Sequence, residues 1–179
     1  MSAPPELNDR RSAVAKRDAA IEPSPGFDAE VDIRIRPMTE CDLDAVTAIE
    51  RASFPAPWSA ATISNLLKRS NACLFAAVDA EDRVLGYAAV WFAGGDGELG
   101  SIAVDAARRT SGIGSKLLAA VLDEARARGT QSVYLEVREG NWIAQSLYQR
   151  RGFEPVGRRE NYYKSPVEDA VVMRRLIAR

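Results

Sequence analysis

The stretch GSIAVDAARRTSGIGSKLL, residues 100–118, is where the architecture can first be read, because a glycine turn joins the end of a strand to the start of a helix. Ile113, Leu117, Leu118, Val121, Leu122 and Ala125 recur at helical spacing, and Gly129 stands where a left-handed cap ends such a segment. Lys116, Asp123, Glu124, Arg126 and Arg128 fill other positions, so the spacing predicts an amphipathic helix with one buried face. The first turn of a helix carries N–H groups without intrahelical acceptors, and Gly112 and Gly114 place no Cβ between them and a ligand. With Arg108 and Arg109 beside the positive end of the helix dipole, the turn suits a phosphate. A glycine-containing loop without a ligand fits the same letters. Two better-known phosphate motifs do not: Ser115 separates Gly114 from Lys116, breaking a Walker loop, and Leu117 stands where the dinucleotide pattern needs its third glycine.

On the N-terminal side, VDIRIRP (31–37) alternates as a strand, and Thr39 is placed to cap a helix carrying Leu43, Val46 and Ile49. FPAPWS (54–59) breaks that helix before a second one, capped by Ser59, with Ile63, Leu66 and Leu67 inward. ACLFAAV (72–78), VLGYAAVWF (84–92) and ELGSIAV (98–104) read as three strands whose short connections make an antiparallel meander. Beyond the glycine turn and its helix come the strand SVYLEV (132–137) and a helix from Trp142 to Arg151 stopped by Gly152. GFEPVGRR (152–159) and DAVVMRRL (169–176) read as closing strands. The order β-α-α-β-β-β-α-β-α-β-β predicts an α/β fold: a mixed, mostly antiparallel sheet flanked by helices. The crossover from GSIAV to SVYLEV is expected to be right-handed and to make those two strands parallel. The glycine turn then lies at the carboxyl end of a strand, where open sheets place ligands.

Composition narrows the chemistry. With 179 residues, 46% hydrophobic and 27% charged, residues 31–179 are expected to form one domain, and the proline-rich residues 1–30 a disordered extension. The 24 basic and 25 acidic side chains nearly cancel, which argues against a dedicated nucleic-acid binder. No apolar run reaches membrane-spanning length and no secretory layout opens the chain, so no membrane partner and a cytoplasmic location are expected. Cys41 and Cys73 are far apart and lack a CxxC companion, pointing to reduced thiols and no metal site. The chain contains no histidine, which removes Ser-His-Asp and Cys-His machinery and the usual metal ligands. Chemistry must run on carboxylates, tyrosines, backbone amides or a cofactor.

In SVYLEVREGN (132–141), Val133, Leu135 and Val137 face one side of the strand while Tyr134, Glu136 and Arg138 face the other. A carboxylate is disfavoured mid-strand, so Glu136 is either functional or a sheet-surface residue paired with a cation such as Arg138. Tyr148 alone reads equally as a core aromatic, and Asn141 as a helix cap.

Taken together, the run SIAV, RRTSGIGSKLL, YLEVREGNWIAQSLYQRRGF, RRENYY and EDAVVM resembles the GNAT acyl-CoA N-acetyltransferases, and within them the ribosomal-protein-alanine acetyltransferase (RimI) type. The resemblance runs from Val31 to the C-terminus. Its superfamily mark is the Arg-x-x-Gly-x-Gly pattern of Arg109, Gly112 and Gly114; the narrower type is marked by LEVR, LY, GF, NYY and EDA. It implies acetyl-CoA as cosubstrate, with the central parallel strand pair splayed around it. Its pyrophosphate would sit on the backbone of Arg109, Thr110, Ser111, Gly112, Ile113 and Gly114, its pantetheine arm along Ile102, Ala103 and Val104, with Asn141 reaching it as well. Glu136 corresponds to the general base and Tyr148 to the general acid. Trp58, Tyr162, Tyr163, Glu168 and Asp169 fall in loops flanking the peptide entrance, and strand alternation predicts that only one of Tyr162 and Tyr163 lines it. Similar proteins often carry Pro and Tyr after the strand's Asp; here Asp105 precedes Ala106 and Ala107, which predicts a looser turn.

The implied reaction is direct transfer of acetyl to the N-terminal amine of a protein, with the alanine of a ribosomal protein as the substrate the resemblance favours. An α-amine of pKa near 7.7–8.0 is roughly 10–20% neutral at pH 7, against under about 0.1% for a lysine near 10.4, so a carboxylate base suits the former. The alternatives are a lysine or small-amine acetyltransferase and an acyl-CoA sensor without transfer, although a sensor needs neither Glu136 nor Tyr148.

Overall fold

The computed structural model describes residues 32–178, so the expected extension at 1–30 lies outside the described residues. Seven strands form one sheet: β1 (Arg34–Pro37), β2 (Ala72–Val78), β3 (Val84–Ala93), β4 (Asp96–Val104), β5 (Ser132–Arg138), β6 (Glu154–Lys164) and β7 (Val167–Leu176). Their spatial order is β1-β2-β3-β4-β5-β7-β6. Every neighbouring pair is antiparallel except β4 and β5, the pair that the crossover made parallel. The helices are α1 (Leu43–Ser53), α2 (Ala60–Leu67), α3 (Ile113–Ala127) and α4 (Trp142–Arg150).

Alternation along the central strands sorts the core into two layers. Ala88 and Val90 of β3 join Leu99, Val133 and Leu135 beneath α3, whose Ile113, Leu117, Leu118, Val121, Leu122 and Ala125 are all buried. Each large apolar side chain of that stripe contributes about 1.5–3 kcal/mol by burial, so this one face anchors the crossover. On the opposite face Tyr87 and Ala89 pack with Val46, Ile49, Ile63 and Leu66 of α1 and α2. Ser59 caps α2 as its position predicts, accepting a hydrogen bond from Thr62 N at 3.1 Å. Thr39 opens the α1 segment through a single 3-10 turn closed by a capping box with Asp42.

Two expectations need correction at the C-terminal end. RRENYYK is strand rather than loop: β6 runs from Glu154 to Lys164 and forms a long hairpin with β7. Nor does alternation separate Tyr162 from Tyr163. The β6–β7 register shifts between Arg159 and Tyr163, and Asn161 adopts a left-handed φ of 51°, so both rings turn to the same side. Their centroids lie 5.2 Å apart, edge to face.

Candidate active site

The parallel pairing of β4 and β5 is short. Asp96–Leu99 pair with Ser132–Leu135, and beyond Leu99 the two strands part. The cause is visible on the far side of β4, where the register against β3 slips between Ala89 and Val90, leaving Gly100 as an extra residue. Ser101–Val104 continue to pair with β3, while Glu136–Arg138 pair with β7. The β5-facing backbone groups of Ile102 and Val104, on either side of Ala103, are therefore not used by the ladder. A cavity of about 570 Å³ fills the opening, lined among others by Ser101, Ile102, Glu136, Asn141, Tyr148 and Trp58.

At the carboxyl end of β4 the chain enters the glycine turn. Asp105 closes a single 3-10 turn over Ala106–Arg108 by accepting from Ala107 N at 2.8 Å, so the turn is capped rather than loose. Thr110 and Gly112 then take left-handed φ values of 66° and 81°. Ser111 Oγ donates to the Arg108 carbonyl and Thr110 Oγ1 to the Arg109 carbonyl, each at 2.6 Å. These bonds occupy hydroxyls and carbonyls and leave the first N–H groups of α3 without an acceptor among the described residues; the first α3 bond from this turn is Lys116 N to the Gly112 carbonyl. Ile113 buries its side chain in the core and offers only its backbone.

Glu136 projects from β5 on the polar side that its strand position predicts, while Val133, Leu135 and Val137 are buried behind it. Its carboxylate pairs with Arg159 Nε of β6 at 2.9 Å, not with Arg138. The neighbouring Glu136 carboxylate, together with burial, pushes the Tyr162 hydroxyl up to about 12. The carboxylate stands between the main cavity and a second one of about 270 Å³ lined by Trp91, Glu98, Tyr134 and Arg159. Tyr148 of α4, which lines the main cavity, is 6% exposed and packs against Phe153, ring centroids 5.9 Å apart. Burial, then the nearby Tyr163, raise its hydroxyl pKa well above that of a free tyrosine, so the phenol keeps its proton at neutral pH. Asn141 caps α4 through Oδ1, which accepts from Ala144 N at 3.1 Å, and also lines the main cavity.

The acceptor side holds Trp58, Tyr162, Tyr163 and Glu168 at the cavity, whereas Asp169 is not among its lining residues. Asp169 instead accepts from Asn161 N at 2.7 Å and pairs with Arg158 at 2.7 Å, closing the β6–β7 hairpin. Glu168 accepts from Gly140 N at 2.7 Å and from Arg138 Nη1 at 2.9 Å, contacts that hold its carboxyl below the usual range. Arg138 also lies over the Tyr163 ring at 4.1 Å. Arg138, the cation the sequence offered to Glu136, pairs with Glu168 instead, while Arg159 and Trp91 carried no signal in the sequence, because each acquires its meaning only from a partner on another strand. Nor did Glu50 of α1, which is 2% exposed and binds Trp58 N at 2.9 Å, Tyr87 OH and Ser101 Oγ. It ties the FPAPWS loop to the sheet beneath the cavity. An acyl donor threaded between β4 and β5 would meet a carboxylate and a protonated phenol in one cavity, the equipment for moving an acyl group from a thioester to an amine.

Residues 43–153 match the Acetyltransferase (GNAT) family, and the chain belongs to it. It is 34% identical over 142 residues to the ribosomal protein bS18-alanine N-acetyltransferase of Haemophilus ducreyi, across 78% of this chain and 97% of that protein. The crystal structure of the ribosomal-protein-S18-alanine N-acetyltransferase from Escherichia coli is similar in fold, with a TM-score of 0.76 and 30% identity over 82% of this chain and 95% of that one. Ard1 from Thermoplasma volcanium gives a TM-score of 0.77 at 27% identity, over 83% of this chain and 100% of that one.

Proposed function

We propose that this chain transfers the acetyl group of acetyl-CoA to the α-amine of a protein N-terminus, with an N-terminal alanine of a ribosomal protein as the acceptor. The observation that carries the reading is the opening between β4 and β5, which leaves β4 backbone free and sets Glu136 and Tyr148 around one cavity. The relatives named above supply the acceptor class: the protein of Haemophilus ducreyi is named for alanine of ribosomal protein bS18. Pantetheine extends the sheet along Ile102–Val104, and the pyrophosphate rests on the amides of Arg109–Gly114, where positive dipole and arginine charge meet it. Asn141 flanks the thioester end.

The neutral amine nitrogen attacks the thioester carbonyl carbon. Its surplus proton passes, through water, to Glu136; the C–S bond breaks and Tyr148 supplies the proton that turns the departing thiolate into the thiol of CoA. Tyr162, Tyr163 and Trp58 frame the acceptor. Glu168 acts indirectly, fixing Arg138 and the β6–β7 hairpin, and Asp169 stiffens the same hairpin. Among the described residues no helix is long and apolar enough to cross a membrane, and a cytoplasmic place of action accords with an acetyl-CoA donor and a ribosomal-protein acceptor.

The test offers acetyl-CoA and two peptides, one with a free N-terminal Ala and no Lys, the other N-terminally blocked with a central Lys, each product mapped by mass spectrometry. Acetylation of the free N-terminus alone is expected. Acetylation of the lysine alone overturns the acceptor assignment.

A further inference from the structure

Helix α4 lies across the first turn of α3, where a Cβ on Gly114 would meet Leu147 Cδ2 at 3.4 Å. One turn beyond Leu147, on the same side of the helix, stands Arg151. Its Nε donates to the hydroxyl of Ser115 at 3.0 Å, and its Nη2 donates to the same oxygen. Ser115 is the third residue of α3, so the guanidinium is held within one turn of those first N–H groups. Arg151 makes no ion pair among the described residues. Beside it, Arg175 donates to the Arg151 carbonyl, and burial together with the charges of Arg126 and Arg151 lowers the Arg175 pKa. The nearby carboxylate of Asp123 is taken by Arg126. Arg109 and Lys116, on the other side of the turn, reach only hydroxyl and carbonyl oxygens. Arg151, Arg109 and Lys116 thus lack carboxylate partners among the described residues, which leaves their charge available to an anion near the start of α3.

We infer that Arg151, oriented by Ser115, binds a phosphate of the nucleotide half of acetyl-CoA and so sets the enzyme's affinity for its donor. The inference rests on the reading of the Arg109–Gly114 turn as the pyrophosphate seat. A guanidinium already bound by one oxygen acceptor is pre-oriented, and its remaining N–H groups are available to a second, charged one.

The experiment compares acetyl-CoA, acetyl-3′-dephospho-CoA and S-acetylpantetheine as donors for the wild-type protein and for Arg151→Leu, which keeps an apolar stem against α3 but loses the charge. KM for acetyl-CoA is expected to rise about tenfold while kcat/KM for S-acetylpantetheine stays within about twofold. Arg151→Lys should recover part of the loss. The dephospho donor separates the phosphates: it is spared if Arg151 holds the 3′-phosphate and suffers equally if Arg151 holds the diphosphate, and either result supports the inference. An unchanged KM for acetyl-CoA, or an equal loss with acetyl-CoA and S-acetylpantetheine, overturns it and leaves Arg151 as a pin between α3 and α4. If the wild-type protein uses acetyl-CoA no better than S-acetylpantetheine, the phosphate seat itself fails, which is a separate outcome.

Discussion

Glu136 has a task whose difficulty depends on pH, because the acceptor amine becomes neutral without help as pH rises through about 8. Replacing it by Gln keeps the shape and removes the base. The Glu136→Gln variant is expected to lose about 10²-fold in turnover near pH 6.5 and progressively less toward pH 9, measured as initial rates on a free N-terminal Ala peptide. A deficit that does not change with pH would assign Glu136 to positioning. The strand period showed which way this side chain points, and local spacing marked Asn141 as a cap. The guanidinium that holds the carboxylate, Arg159, could not be found in the same way, since it sits across the sheet on β6.

At the level of elements, the slip between β3 and β4 at Gly100 is what separates β4 from β5 and creates the cavity. Gly100 has a second constraint. A Cβ there would fall onto the Trp91 ring and lie 3.0 Å from Trp58, the two indoles whose centroids stand 6.3 Å apart on the acceptor side. Gly100→Ala should therefore push Trp91 into the acceptor space, destabilising the fold by about 1–3 kcal/mol and raising the peptide KM far more than the acetyl-CoA KM. Thermal denaturation and two-substrate kinetics check this; equal effects on both KM values would mean that the slip itself had been lost. Element order and the parallel pair were legible because short connections and helical spacing are local properties. The slip at Gly100 and the one that turns Tyr162 and Tyr163 to the same side were not, because a bulge is defined by what lies on the neighbouring strand.

Part of the molecule's acid sensitivity lies at the other edge of the sheet, at Asp42. Asp42 accepts two hydrogen bonds from Thr39 and pairs with Arg36 at 2.7 Å. The Arg36 guanidinium, first, and the Thr39 bonds lower its pKa from 3.8 to about 2. A carboxylate whose pKa is depressed by folding stabilises the native state above its unfolded value, and that contribution, about 2 kcal/mol, disappears as pH falls from 3.8 through about 2. Asp42→Asn should melt lower at pH 7 and lose the part of the wild-type decline between pH 4 and 2 that this pair causes; a variant with the full wild-type decline would remove Asp42 from the explanation. Arg36 also meets Asp82 from the β2–β3 turn, so β1, the start of α1 and that turn are fastened together far from the cavity. Acetyl transfer would need both Glu136 and Tyr148, which line the same cavity in the β4–β5 opening. The most direct test is single-turnover acetyl transfer by Tyr148→Phe with saturating acetyl-CoA and peptide, alongside CoA affinity. The transfer rate is expected to fall about 10²-fold or more with CoA affinity retained; an unchanged rate would take the proton donor away from Tyr148.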